Sequence, residues 1–183
     1  PGQAGEPSAD PDALRAVLAR DPGNLAAKSD LAAAHYAAGR FAESAALGLE
    51  LAYELERSAV LRVHLGNALW RAGRGEQALE EWRRAARLAP RTPEARAAMD
   101  WMGRAVRLNP QEIRLRLDLA SMLADAGRGA ECAEQLDAAE RIEAALVNRE
   151  VSVQRFSPDE LAEIEMLRRR AALLVAGGDA DGD

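Results

Sequence analysis

The chain of 183 residues carries a formal charge of −6, and its residues are 48% hydrophobic but only 4% aromatic. This charge excludes a generally basic surface for nucleic acid, and no run approaches the roughly 18 apolar residues of a membrane span. Glycine and proline gather between long stretches of Ala, Leu, Arg and Glu, which favours helices joined by short turns. We therefore expect an all-α protein with no nucleic-acid partner and no transmembrane segment in this chain.

Residue usage also bears on origin and compartment. Nearly all basic residues are arginine and Lys28 is the only lysine, a bias typical of GC-rich bacterial genes. The single cysteine, Cys132, has no partner for an internal disulfide, so both cytoplasm and periplasm remain open. No signal peptide is recognisable, but the sequence begins at Pro1 rather than Met. We expect a bacterial protein of either compartment, whose targeting segment could have been removed.

The first predicted elements are a leader and a short helix. Residues 1–12 are polar and contain three prolines and two glycines, which predicts a flexible leader. Residues 13–24 form a short predicted helix with its end at Asp21-Pro22-Gly23, since proline cannot continue a helix. We expect this helix to cap the first unit of the array that follows.

Three segments of the chain then share one pattern. Residues 31–40 align with residues 65–74 at an offset of 34, and residues 119–128 show the same pattern. In each, a Leu followed by Ala or Gly precedes a Gly-Arg pair by eight residues. Because glycine permits a tight turn, each segment predicts two antiparallel helices joined at that glycine. The three glycines are Gly39, Gly73 and Gly127.

The second copy, residues 59–92, carries the fullest pattern. Its defining residues are Leu65, Gly66, Ala78, Trp82, Ala85 and Pro90. Their spacing resembles the tetratricopeptide repeat family, which implies a right-handed α-solenoid of stacked helix pairs. In this arrangement Trp82 fills the gap between helices and Pro90 ends the second helix. The copy departs from the family at Arg62, where the family favours Trp, and at Leu69, where it favours Tyr.

The other copies match less fully. The first, residues 25–58, has Ser44 and Gly48 at the small and aromatic positions of the second helix. The last, residues 113–146, has Cys132 where the repeat favours a small buried residue. With these two, the resemblance extends over residues 25–146.

Residues 93–112 interrupt the array. This unit has only 20 residues and is 14 shorter than a full repeat, so it can supply one helix and not two. Ala98, Met102, Ala105 and Pro110 repeat the second-helix spacing. The sequence leaves two interpretations open, a lone helix that bends the array or a truncated repeat.

Residues 147–157 are predicted to be a linker. Within them residues 151–154 alternate apolar and polar, which leaves a short docking strand as the less favoured alternative. Ser157 and Glu160 form a capping box around a proline, which predicts a second capping helix over residues 158–176. Residues 177–183 are acidic and are predicted to be a disordered tail.

The family resemblance implies a concave groove lined by the first helix of each pair. It places on this groove Ala26, Ser29, Asp30, Ala33, Tyr36 and Ala37 of the first copy, and Val60, Val63, His64, Asn67, Trp70 and Arg71 of the second. Aromatic side chains beside Asn and Arg suit the binding of a peptide or helix. The alternative is that Tyr36 and Trp70 are covered by the chain's own leader or terminal helix.

One subgroup of the family binds the C-terminal carboxylates of chaperones through Lys, Asn and Arg. The matching positions here hold Ser29, Ala33, His64, Arg114 and Asp118. Only Arg114 keeps the positive charge, so chaperone-tail binding is disfavoured and Arg114 remains a candidate groove residue.

No motif for catalysis, a metal or a cofactor is recognisable. His35 and His64 do not have a metal-ligand spacing, and each is expected to be structural or part of the groove. Cys132 is expected to be inert packing. The favoured hypothesis is a non-catalytic scaffold that binds a protein or peptide partner, as an assembly factor or accessory subunit. A self-assembling structural array is the alternative, and an enzyme would need His35, His64 or Cys132.

Overall fold

The computed structural model describes residues 10–147 and 156–178. Across these two ranges it contains helices and no strand, which confirms the all-α expectation. In chain order the helices are α1 (Pro11–Arg20), α2 (Leu25–Ala37), α3 (Phe41–Glu54), α4 (Ala59–Arg71), α5 (Gly75–Leu88), α6 (Pro93–Leu108), α7 (Ile113–Asp125), α8 (Gly129–Val147) and α9 (Pro158–Gly178). Most of the predicted leader, linker and tail, over residues 1–9, 148–155 and 179–183, lies outside the described residues.

The described residues divide into two compact units, residues 10–88 with α1 to α5, and residues 89–147 and 156–178 with α6 to α9. In the first unit α1 begins at Pro11, two residues before its predicted start, because the Asp10 side chain accepts a hydrogen bond from the Asp12 amide at 3.1 Å. Leu14 of α1 packs against Ala27 and Leu31 of α2. This contact buries the apolar side of α1 on the first helix pair.

Two helix pairs follow in the first unit, α2 with α3 and α4 with α5. Gly39 and Gly73 join them with φ of 74° and 78°, in the left-handed region that favours glycine. At both turns the amide of the following arginine donates to a carbonyl five residues earlier at 2.9 Å, a Schellman-type ending of the first helix. The repeated Gly-Arg dipeptide therefore marks the same backbone turn twice.

Arg62 packs between the two helices of the second pair. Its Nη1 lies 2.7 Å from Glu81 Oε2, and both side chains are buried. The same guanidinium donates to the Glu56 carbonyl through Nε and Nη2. Glu81 also pairs with Arg84 at 3.0 Å. At the position of Arg62 the tetratricopeptide family, which the sequence resembles, favours tryptophan. Here an ion pair joins α4 to α5 instead.

The second unit contains a single helix, α6, and a pair, α7 with α8, joined at Gly127 with φ of 80°. Helix α9 packs on α7 and α8. The predicted capping box is present, since the Glu160 amide donates to Ser157 Oγ at 3.2 Å and the Ser157 amide to Glu160 Oε2 at 2.9 Å. The helix extends two residues beyond its predicted end at 176, to Gly178.

The three consecutive arginines of α9 all form ion pairs. Arg168 bonds Asp137 and Glu140 on α8, at 2.8 and 2.7 Å. Arg169 pairs with a glutamate one turn earlier on its own helix, and Arg170 pairs with Asp125 of α7 at 2.6 Å. Two of the three therefore hold α9 onto its neighbours.

Candidate functional site

An uncharged cavity of about 550 Å³ lies between α2, α3 and α4 of the first unit. Its residues are Ser29, Ala32, Ala33 and Tyr36 of α2, Ser44, Gly48 and Leu51 of α3, Val60, Leu61, His64, Leu65 and Asn67 of α4, and Leu55 and Ser58 between helices. None of them is Asp, Glu, Lys or Arg. Volumes of 300 to 1,000 Å³ are typical of ligand sites in proteins.

The cavity has a solvent-facing mouth and a buried floor. Exposed residues at the mouth are Ser29, Ala33, Val60 and His64. Buried residues at the floor are Ser44, Gly48, Leu51 and Leu65. The mouth is formed by the first helices of two consecutive pairs, and the floor by α3 together with the inner side of α4. An outside group can thus reach an apolar interior without the helices separating.

Six of the groove residues expected from sequence line this cavity, namely Ser29, Ala33, Tyr36, Val60, His64 and Asn67. Val63 is only 7% exposed and belongs to the core of the pair. Trp70 and Arg71 lie on α4 outside the cavity lining. Arg114 is in the second unit, where it pairs with Glu163 and Asp118 at 3.2 and 3.3 Å.

Trp82 fills the corresponding space in the second helix pair. Its ring is completely buried and lies against Gly66, where an added Cβ would be 2.5 Å from the indole Nε1. The indole Nε1 donates to Asn67 Oδ1 at 3.1 Å, and the ring centroid is 5.6 Å from that of Trp70. This arrangement joins α5 tightly to α4.

The first pair lacks this ring. At the offset of 34 residues, Gly48 stands in place of Trp82, and Ala32, Ala33 and Tyr36 stand in place of Gly66, Asn67 and Trp70. These four residues of the first pair all line the cavity. Gly48 stands at the aromatic position of the repeat, and this position alone did not predict an open space. The signal was present, and only the packing shows that no other side chain of the described unit closes it.

The aromatic residues beside the cavity are half-buried by contacts within their own unit. Tyr36 meets Phe41 edge-on with ring centroids 5.2 Å apart, and the Arg71 guanidinium lies 4.4 Å above the Phe41 ring. Trp70 packs against Trp82. Tyr36 is therefore held at the end of the cavity, while Arg71 is engaged in a cation–π contact next to it.

The histidines and the cysteine occupy different environments. His35 is buried, and its Nδ1 accepts a hydrogen bond from Arg40 Nε at 2.8 Å. Burial, and next the nearby Arg40 charge, lower the pKa of His35, so the ring is neutral at pH 7 and acts as a structural acceptor. His64 is exposed at the cavity mouth. Burial raises the pKa of the Cys132 thiol against the opposing charges of Arg170 and Arg168, which keeps the thiol protonated.

Within residues 10–147 and 156–178, no group of three or more His, Cys, Asp or Glu side chains is arranged to hold a metal ion. In the same part of the chain, no helix is both long enough and apolar enough to cross a membrane.

Comparison with protein-family models found no match, and no curated protein is significantly similar in sequence. Two crystal structures of MamA resemble the chain with a TM-score of 0.44 and 17% sequence identity. The first alignment covers 75% of this chain and 89% of the MamA chain, and the second covers 79% and 87%. Similarity of this degree is too low to support a conclusion about fold or function.

Proposed function

We propose that this chain is a non-catalytic interaction scaffold of tetratricopeptide type, which holds a segment of another protein against the cavity between α2, α3 and α4. The observation that carries the proposal is the uncharged opening of about 550 Å³ between the first helices of two consecutive pairs. A scaffold of this kind serves as an assembly factor or accessory subunit of a larger complex. Its partner is a protein or peptide.

The chemistry of the cavity suits a peptide segment. Leu51 and Leu65 offer apolar surface at the floor, and exposed His64 and half-buried Asn67 lie along one side of the opening. The Trp82 indole bonds Asn67 Oδ1, which orients the side-chain amide of Asn67. Its NH2 group is then placed to donate to a main-chain carbonyl of the bound segment. Apolar burial supplies affinity, and the amide supplies orientation.

Selection of peptides from a random display library on the immobilised chain tests this proposal. The test variant is Ala33→Arg, because Ala33 is exposed at the mouth and an arginine there places a charge over an apolar opening. The matched control is Ala46→Arg, an exposed alanine of α3 that does not line the cavity. We expect selected peptides to bind Ala33→Arg at least about tenfold more weakly and the control unchanged. Equal binding of the peptides to the unchanged protein, Ala33→Arg and Ala46→Arg would show that the cavity is not the binding site.

Self-association is the second candidate function, and the surface of α9 favours it. Leu161, Met166 and Leu173 of this helix are 53%, 58% and 74% exposed. Met166 and Leu173 are seven residues apart and so lie on one face of the helix, and an exposed apolar patch is typical of a contact surface. Light scattering across a concentration series distinguishes the candidates, with Leu173→Glu as the variant. A chain that stays monomeric at the highest concentration, with and without the substitution, excludes the self-assembling array.

A further inference from the structure

We infer that the cavity of the first unit receives one aromatic side chain of the bound segment, in the place that Trp82 occupies in the next helix pair. This inference rests on the proposed function, because it names the group that the scaffold recognises. It goes further in assigning the specificity to the absence of a side chain at Gly48.

The second helix pair is an internal template for the occupant. Trp82 lies against Gly66, beside Asn67 and against Trp70. In the first pair, the four residues that correspond to these positions all face one connected space. Two helix pairs with the same turn geometry thus differ at the point where one has an indole and the other an opening. The space is shaped by its neighbours for a ring that this pair does not itself provide.

Leu65 explains why the ring must come from outside the pair. A Cβ added at Gly48 would lie 2.9 Å from Leu65 Cδ1, so the leucine already covers the α3 backbone. Leu65 therefore forms part of the cavity floor, and exposed Ala33 and His64 lie at its open mouth. A ring entering through the mouth would rest on the leucine methyl groups, in the manner of any apolar side chain that packs on a buried leucine.

Charge and size support the same occupant. The lining contains no ionised acid or base of the Asp, Glu, Lys or Arg type, so it complements a neutral ring and penalises a charged side chain. An apolar cavity of about 150 Å³ is sufficient to bind benzene. The volume here is about 550 Å³, which holds one aromatic ring together with part of the main chain that carries it.

The experiment uses three neutral probes, the N-acetyl amides of phenylalanine, tryptophan and leucine. Binding to the full chain is followed by NMR through the methyl resonances of Leu51 and Leu65. We expect the two aromatic amides to shift these resonances and to bind at least about tenfold more tightly than the leucine amide. Equal affinity of the aromatic and leucine amides, or shifts confined to other methyl groups, overturns the inference.

Two variants locate the binding. The double substitution Ala32→Gly with Gly48→Trp transplants the Gly66–Trp82 arrangement into the first pair, and it should abolish the shifts caused by the aromatic amides. If the double variant does not fold, Ala33→Arg provides the same test, because Ala33 is exposed at the cavity mouth. Ala46→Arg should bind the aromatic amides like the unchanged protein. Persistence of the aromatic-induced shifts in Ala33→Arg contradicts the inference.

The outcome is separable from that of the proposed function. If library peptides bind only when the cavity mouth at Ala33 is open but show no preference for an aromatic residue, the proposed scaffold function is supported and the aromatic occupant is refuted. If aromatic amides bind in the cavity but the library yields no binding peptide, the aromatic site is supported and the proposed scaffold function is refuted.

Discussion

Replacing Gly66 by alanine tests how tightly α4 and α5 are joined. A Cβ at this position would lie 2.5 and 2.6 Å from the Nε1 and Cδ1 atoms of Trp82. The ring cannot move aside easily, since it is completely buried and its Nε1 is bonded to Asn67. Alanine at position 66 therefore forces either the indole or the whole of α5 to shift.

Two opposing contributions set the magnitude. Overpacking of a filled core costs about 1–3 kcal/mol, and sometimes more. Alanine gains about 1 kcal/mol over glycine inside a helix, which offsets part of that cost. Because the contact is with a buried ring and is about 1 Å shorter than an ordinary van der Waals contact, we expect Gly66→Ala to lower the free energy of unfolding by about 1–2 kcal/mol.

Two other glycines provide graded controls. At Gly48 the nearest atom is the flexible end of Leu65 at 2.9 Å, and that side chain borders the cavity, so it has space to move. At Gly75 the nearest atom is in the Trp70 ring at 3.7 Å, an ordinary contact. Gly48→Ala should be close to neutral, and Gly75→Ala should stabilise by about 0.4–1 kcal/mol.

Urea unfolding followed by circular dichroism measures all three variants. The order of stability should be Gly75→Ala, then Gly48→Ala, then Gly66→Ala. The cost at Gly66 should shrink when Trp82 is also replaced by leucine, because the two residues are in contact. If Gly66→Ala is as stable as Gly75→Ala, the indole is not locked against the backbone of α4, and the internal template loses its basis.

Three further predictions concern buried contacts. Glu81→Ala leaves the buried Arg62 guanidinium without its carboxylate, so it should lower the free energy of unfolding by about 3 kcal/mol in urea titration; a loss under about 1 kcal/mol would contradict a buried pair. Because the pKa of His35 is lowered in the folded protein, the unfolded chain binds more protons than the folded one below the ordinary value of 6.5. The free energy of unfolding should therefore fall between about pH 7 and 5.5, and it should fall less in His35→Asn. Identical pH dependence of the two proteins would refute this role. Gly129→Ala places a Cβ 2.7 Å from the Ala171 carbonyl oxygen of α9, so hydrogen exchange of α9 amides should accelerate, and unchanged protection would show that α9 can move away freely.

The sequence by itself determined the local structure. The turns at Gly39, Gly73 and Gly127 follow from a backbone angle that other residues rarely adopt, so a glycine at a constant spacing is enough to place them. The capping box at Ser157 is likewise a matter of residues three positions apart. Contacts between near neighbours in the chain can be predicted because the intervening backbone limits their geometry.

The tertiary structure decided which side chains meet. Spacing along α4 placed Val63 and Asn67 on one expected face, but packing buries the first and leaves the second beside the cavity. The partner of Arg62, 19 residues away at Glu81, could not be predicted either, since it depends on how α4 and α5 cross. Gly48 indicated that an aromatic ring is missing from the first pair. Whether neighbouring side chains fill the space depends on the tertiary packing. The cavity exists because residue 48 has no side chain to fill the space that Leu65 and Tyr36 border, and Tyr36 is directed by its edge-on contact with Phe41.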